Sequence, residues 1–114
     1  MKALALMAVF SLFLAGCDSS GPEPQASASG KELFDHHCSG CHRQEGTGNF
    51  LKGIPANVMT KLDVDGVAHL IRYGDPEMPK MPVFSNLSRY QAERIASHLF
   101  DLRKQWVEKR QSGS

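Results

Sequence analysis

The sequence predicts an all-α domain in which three main short helices are joined by long loops. Three observations carry that prediction. Two capping boxes, Ser29 with Glu32 and Ser88 with Gln91, stand before helix-forming stretches. Ile95, Leu99, Leu102 and Trp106 recur at i, i+4, i+7 and i+11, which is one face of a helix. No apolar–polar alternation and no hairpin signal competes for a strand. With 114 residues the chain has room for one domain.

The first segment, residues 1–16, reads as a removable export signal. Lys2 is followed by "ALALMAVFSLFLAG", apolar or small at every position except Ser11. That run is shorter than the ~20 residues a bilayer-spanning helix requires and suits the apolar region of a secretory signal. It closes in "LAGC", which resembles the lipobox of bacterial lipoproteins. That resemblance implies cleavage before Cys17, lipid attachment at Cys17, and a head held on the periplasmic side of a bacterial membrane. Asp18 resembles the signal that retains some lipoproteins in the inner membrane. An ordinary signal peptide would leave Cys17 as a stray thiol, a poor fit to an exported chain.

Residues 17–29 then read as a flexible linker. "DSSGPEPQASAS" has no large apolar residue, so it cannot bury a core of its own. At this length it would span on the order of 20 Å. Loss of residues 1–16 removes Lys2 and brings the formal charge from +1 to zero. A balanced charge of this kind excludes a nucleic-acid binding domain, which would be distinctly basic.

The head is expected over 30–109, followed by a flexible tail at 110–114. Its first helix starts at the Ser29 capping box. The second lies in "VDGVAHLIRYG", where Val67, Leu70 and Ile71 share a face and Gly74 stops the helix as a left-handed cap. The third starts after Ser88 and is expected to reach about Lys109. Between the first two lie "RQEGTGNFLKGIPAN" and a weakly helical "NVMTKL", with Met59 expected in the core. The loop "DPEMPKMPVFSN" joins the second and third. Loops of such length are unusual in compact domains unless they are functional. Helices this sparse call for something large and apolar to complete the core.

The chemistry concentrates in "HHCSGCHRQEG", with two cysteines and three histidines in positions 36–42. Cys38, Cys41 and His42 stand at i, i+3 and i+4, so on a helical turn they share nearly one face. Structural zinc would need a second ligand pair; the nearest later candidate is the lone His69, and there is no second cysteine pair. A cycling dithiol needs a βαβ context that is missing here. A disulfide between Cys38 and Cys41 would leave His42 and the thin core unexplained. One covalent haem c accounts for all three residues, since C-x-x-C-H is its attachment motif, with both sulfurs bonded and His42 on the iron. His36 and His37 are expected on the helix surface, and His69 exposed.

Over residues 30–109 the chain resembles the class I cytochromes c of the small bacterial type. "GKELFDHHCSGCH" matches the family's opening, with Gly30, Phe34 and Cys38 four apart. "GCHRQEGTG" resembles the glycine-rich stretch that follows, and "IRYG" with "MPVF" resembles the helix end and methionine loop. The resemblance implies a cytochrome c fold wrapped around the haem, with the last helix crossing the first near Gly30 and Phe34, at Ile95, His98 and Leu99. It implies Met81 as the second axial ligand of the iron, with Met78 as second choice because both precede prolines. It also implies that a proline carbonyl, here that of Pro55, accepts from His42.

Thioether opposite imidazole is the ligation of electron-transferring cytochromes. The function expected is therefore single-electron transfer between periplasmic or membrane redox proteins such as an oxidase, reductase or dehydrogenase, by a monomer that transforms no substrate. The alternatives are a haem enzyme or a sensor of gas or peroxide, with an open or labile sixth iron position, and a subunit-like module that works only inside an oxidase or reductase complex. Lys52, Lys61, Arg72 and Lys80 are candidates for a docking rim.

Overall fold

The computed structural model describes residues 22–113. Residues 1–16, expected to direct export, and Cys17 lie outside the described residues. The first helix, α1, spans Gly30–His37 and begins at the expected capping box: Ser29 Oγ accepts from Glu32 N–H while the Glu32 carboxylate accepts from Ser29 N–H. A single turn, α2 (Ser39–His42), follows at once. The third helix, α3, covers Val64–Tyr73, capped by Asp63, whose carboxylate accepts from Gly66 N–H at 2.8 Å. The last helix, α4, covers Arg89–Ser112 behind the Ser88 capping box. Two 3-10 turns, Phe50–Lys52 and Asn57–Met59, interrupt the loop between α2 and α3. Among the described residues the extended pairing is limited to one isolated bridge, Asn49 with Ile54.

Helix α4 organises the fold by packing against both α1 and α3. Ile95 and Leu99 are buried as their spacing predicts, with Ala92 and Ala96 beside them. They meet Leu33 and Phe34 of α1 and Val67, Ala68 and Ile71 of α3, while Val58 and Leu87 close the core from the loops. Each large side chain buried in this way contributes about 1.5–3 kcal/mol. Leu102 and Trp106 pack only partly against the core. No helix among the described residues is long and apolar enough to cross a membrane.

The α1–α4 crossing depends on Gly30. A Cβ there would stand 2.1 Å from the Arg94 carbonyl oxygen and 3.1 Å from His98 Cβ. One helical turn on, the Phe34 ring meets the His98 ring edge-on at 5.4 Å. The close approach fixes where the C-terminal end of α1, and hence the cysteine motif, emerges from the core.

Four expectations need correction. Helix α4 is 24 residues, about 36 Å long, and continues through Ser112, so residues 110–112 are helix rather than tail; no breaker precedes Gly113. The end of the linker is docked: Arg94 donates to the Ala26 carbonyl at 2.6 Å, Ala28 N–H reaches the Gln25 carbonyl, and Ala28 packs on the core. Gly74 has φ 75° as expected of a helix terminator, but its ψ of −177° takes it out of the left-handed helical region into one open essentially to glycine alone. Met59 is 57% exposed, because its 3-10 turn spends its one buried position on Val58.

Because overpacking a tight crossing costs about 1–3 kcal/mol, Gly30→Ala should lower the unfolding free energy of the haem-bearing protein by that order. Gly40→Ala, where an added Cβ meets nothing within 4 Å, should leave it within about 0.5 kcal/mol. Guanidinium melts read at the haem band measure both.

Candidate haem site

Cys38 sits at the junction of two helical segments, serving as the C-cap of α1 and the N-cap of α2. Its N–H reaches back to the Phe34 carbonyl at 2.8 Å, and its carbonyl accepts from Cys41 N–H at 3.2 Å and His42 N–H at 2.9 Å. The turn ends at Arg43, whose φ of 63° is in the region that favours glycine. Beyond it the chain folds back under the motif through Gly48 N–H to the His42 carbonyl at 3.0 Å and Val58 N–H to the Gly46 carbonyl at 3.2 Å.

This return places Pro55 beside the histidine. His42 Nδ1 is 3.1 Å from the Pro55 carbonyl oxygen. A carbonyl can only accept, so Nδ1 carries the proton and Nε2 keeps its lone pair. Gly48, at φ 70°, lies so close beneath that a Cβ there would be 2.5 Å from the Ile54 and Pro55 carbonyl oxygens. Burial lowers the His42 pKa from its ordinary value, with the Pro55 hydrogen bond opposing. The imidazole is therefore neutral at pH 7, the form that binds a metal.

The methionine loop is tied to α3 on the other side. Phe84 N–H donates to the Ile71 carbonyl at 2.8 Å, and Arg72 Nε donates to the Leu87 carbonyl at 3.1 Å. Within the loop, Asp75 caps a turn by accepting from Glu77 N–H, and Met81 N–H donates to the Met78 carbonyl at 3.1 Å. Met81 is partly buried and packs on the core, whereas Met78 is 38% exposed.

The two sides face one another across a cleft of about 550 Å³. Cys38, Cys41 and His42 line it together with Ile54, Pro55, Met78, Met81, Pro82 and Phe84, and exposed Lys52, Glu77 and Lys80 stand at its edge. Its volume lies within the range of cofactor pockets, and its walls are mostly apolar around a few convergent polar groups. Two thiols, one neutral imidazole and a thioether on an apolar cleft make up the donor set of a covalently held, His/Met-ligated haem, and the cleft offers two methionines for the thioether. Burial pushes the Cys38 thiol up to about 12, with Cys41 adding to the shift.

All the residues singled out for the haem thus line one cleft; Cys17, expected to carry the lipid, lies outside the described residues. Of the candidate rim, Lys52 and Lys80 reach the cleft, while Arg72 is engaged with Leu87 and Tyr73. His69 is exposed as expected and rests on Tyr73. His37 is not a surface residue: its side chain is 9% exposed and its ring meets Phe84 edge-on at 5.6 Å, also bordering the cleft. Phe84 and Ile54 as cleft walls were missed from sequence, although "MPVF" placed an aromatic three positions after Met81.

A larger and shallower depression of about 750 Å³ lies between residues 22–28 and α1, with Glu32, Asp35 and His36 on its wall. It holds neither cysteine nor methionine, so it has no part in the haem site.

No curated protein and no solved structure matches the chain. A family model does, over residues 25–99, described as cytochrome c oxidase, cbb3-type, subunit III. The match takes in the cysteine motif, the Pro55 return, the methionine loop and the first half of α4. The chain therefore belongs to that family, and its head is a c-type cytochrome domain that carries covalently bound haem c and serves electron transfer.

Proposed function

We propose that this protein is a membrane-tethered monohaem cytochrome that passes single electrons between redox proteins, one of them an oxidase, with His42 and Met81 as the iron ligands. The observation that carries the reading is the convergence of Cys38, Cys41 and His42 with the methionine loop on one cleft. Haem c, when bound there, supplies an iron that gains or loses one electron. Everything else falls to the side chains. Cys38 and Cys41 hold the group through their sulfurs. His42 binds through Nε2, and the hydrogen bond from Nδ1 to Pro55 fixes its tautomer and ring orientation. Ile54, Pro82 and Phe84 keep water from the cleft, which favours electron transfer over chemistry at the iron.

Met81 is the better second ligand on two counts. It is packed against the core, so its loop has less freedom to lose on ordering, and Pro82 stiffens the chain beside it. Met78 is more exposed and supports Met81 through its backbone carbonyl. A Met81 thioether on the iron would raise the potential and leave no open site for a small molecule, which is the property of a carrier rather than an enzyme or sensor.

The tether is the second half of the proposal. Cleavage before Cys17 and lipid attachment to it would hold the head on the periplasmic face of a bacterial membrane, the inner one by the Asp18 signal. Two or more acyl chains anchor stably where a single chain does not. The family description supports an oxidase as electron acceptor. A monomeric head is the form such a shuttle needs.

The oxidised protein should show the weak near-infrared band of thioether–iron ligation. Met81→Ala should abolish it and let the reduced protein bind carbon monoxide rapidly, while Met78→Ala should change neither. The reverse pattern would give the ligand role to Met78. Rapid carbon monoxide binding and peroxidase turnover in the unmutated protein would favour an enzyme or sensor.

Cys17→Ser should move the protein from the detergent phase to the aqueous phase on Triton X-114 partitioning, or leave an uncut precursor. Wild-type protein wholly in the aqueous phase, with its mature terminus elsewhere than Cys17, would remove the tether.

A further inference from the structure

Glu23, His36 and His37 bring three metal-binding groups together where the N-terminal segment meets α1. Their ligating atoms all lie within 4.8 Å of one another. His37 Nε2 is 3.4 Å from one carboxylate oxygen of Glu23, and His36 Nε2 is 3.5 Å from the other. Donors 2.0–2.1 Å from a tetrahedral ion are separated by about 3.3 Å, so either spacing, each to its own oxygen of the carboxylate, is close to an edge of a zinc coordination sphere.

A second observation points the same way. His37 is nine-tenths buried, yet its Nε2 has no hydrogen-bond partner; the Glu23 oxygen lies near it without hydrogen-bond geometry. Buried polar atoms are rarely left so, and each such atom calls for an explanation. The other side of the ring is fixed by Phe84 at 5.6 Å, and His36 stands edge-on at 4.7 Å, so both imidazoles are held on the same end of α1. The C-x-x-C-H motif makes no use of either, since His42 supplies the imidazole for the haem.

We propose that Glu23, His36 and His37 bind one divalent transition ion of the zinc class, through two imidazole nitrogens and one carboxylate, with water completing the shell. Imidazole and carboxylate suit zinc and its neighbours, and the missing thiolate argues against a softer ion. The ion would staple the linker to the head at residue 23 and so shorten the free part of the tether. Glu23 precedes the family match, which begins at residue 25, so the site is a property of this chain rather than of the matched domain.

The test is calorimetric titration of the full, haem-bearing, tag-free chain in detergent with zinc chloride, followed by X-ray absorption at the zinc edge, where iron does not interfere. One equivalent should bind at micromolar zinc, with two imidazoles and oxygen in the first shell. Glu23→Gln and His36→Ala should each weaken binding by at least about tenfold, the minimum seen when even a supporting group of a metal site is lost. Glu23 is exposed and His36 lies outside the core, so neither change threatens the fold. Absence of binding at micromolar zinc, equal affinity in both variants, or sulfur in the zinc shell would overturn the proposal.

Discussion

Within five residues, 38 to 42, two thiols and an imidazole have to reach the same side of the chain. A helical turn is the local structure that achieves this, and the fold is arranged to hold that turn still. Its upstream end is the C-terminus of α1, seated against α4 through the glycine contact at Gly30 and the Phe34–His98 ring pair. Its downstream end is held by the chain that returns from Gly46 and Gly48 to Pro55. The opposite wall is a loop pinned to α3 at Phe84 and Leu87. Each support ends at a group that faces the cleft or fixes one that does.

The protein part of the core is correspondingly thin. Its largest fully buried side chains are Phe34, Leu33, Ile95 and Val58, and several of its other members are small, Ala68, Ala92 and Ala96 among them. A domain this small buries a modest fraction of its surface and commonly needs a covalent or metal staple to be stable. Apolar walls on the cleft, from Ile54 to Phe84, become core only when something apolar lies between them. Stability and cofactor binding are thus one property here, and the positioning of His42 by Pro55 is part of both.

Much of this was legible in the residues because it is local. Capping boxes at Ser29 and Ser88 need only four consecutive positions, and both helices start where those boxes place them. The periodicity of Ile95 and Leu99 and the spacing of Cys38, Cys41 and His42 are equally local. The Gly30 crossing and the Pro55 contact were readable only through the resemblance to cytochromes c, since each joins segments distant in sequence. What was missed depends on partners that no spacing reveals. His37 is buried because Phe84, 47 positions on, comes to lie against it; the end of the linker is docked because Arg94 reaches Ala26 and Ala28 packs on the core. Met59 has the composition of a core residue but stands on the outward side of a turn whose inner position belongs to Val58.

The most direct measurement of the central claim is where the haem resides on the purified protein, read by acid-acetone extraction followed by mass mapping of proteolytic peptides. One haem per chain should resist extraction and stay with the peptide containing Cys38, Cys41 and His42. Haem that is fully extractable, or a haem-free chain with one zinc on that peptide, would contradict the account.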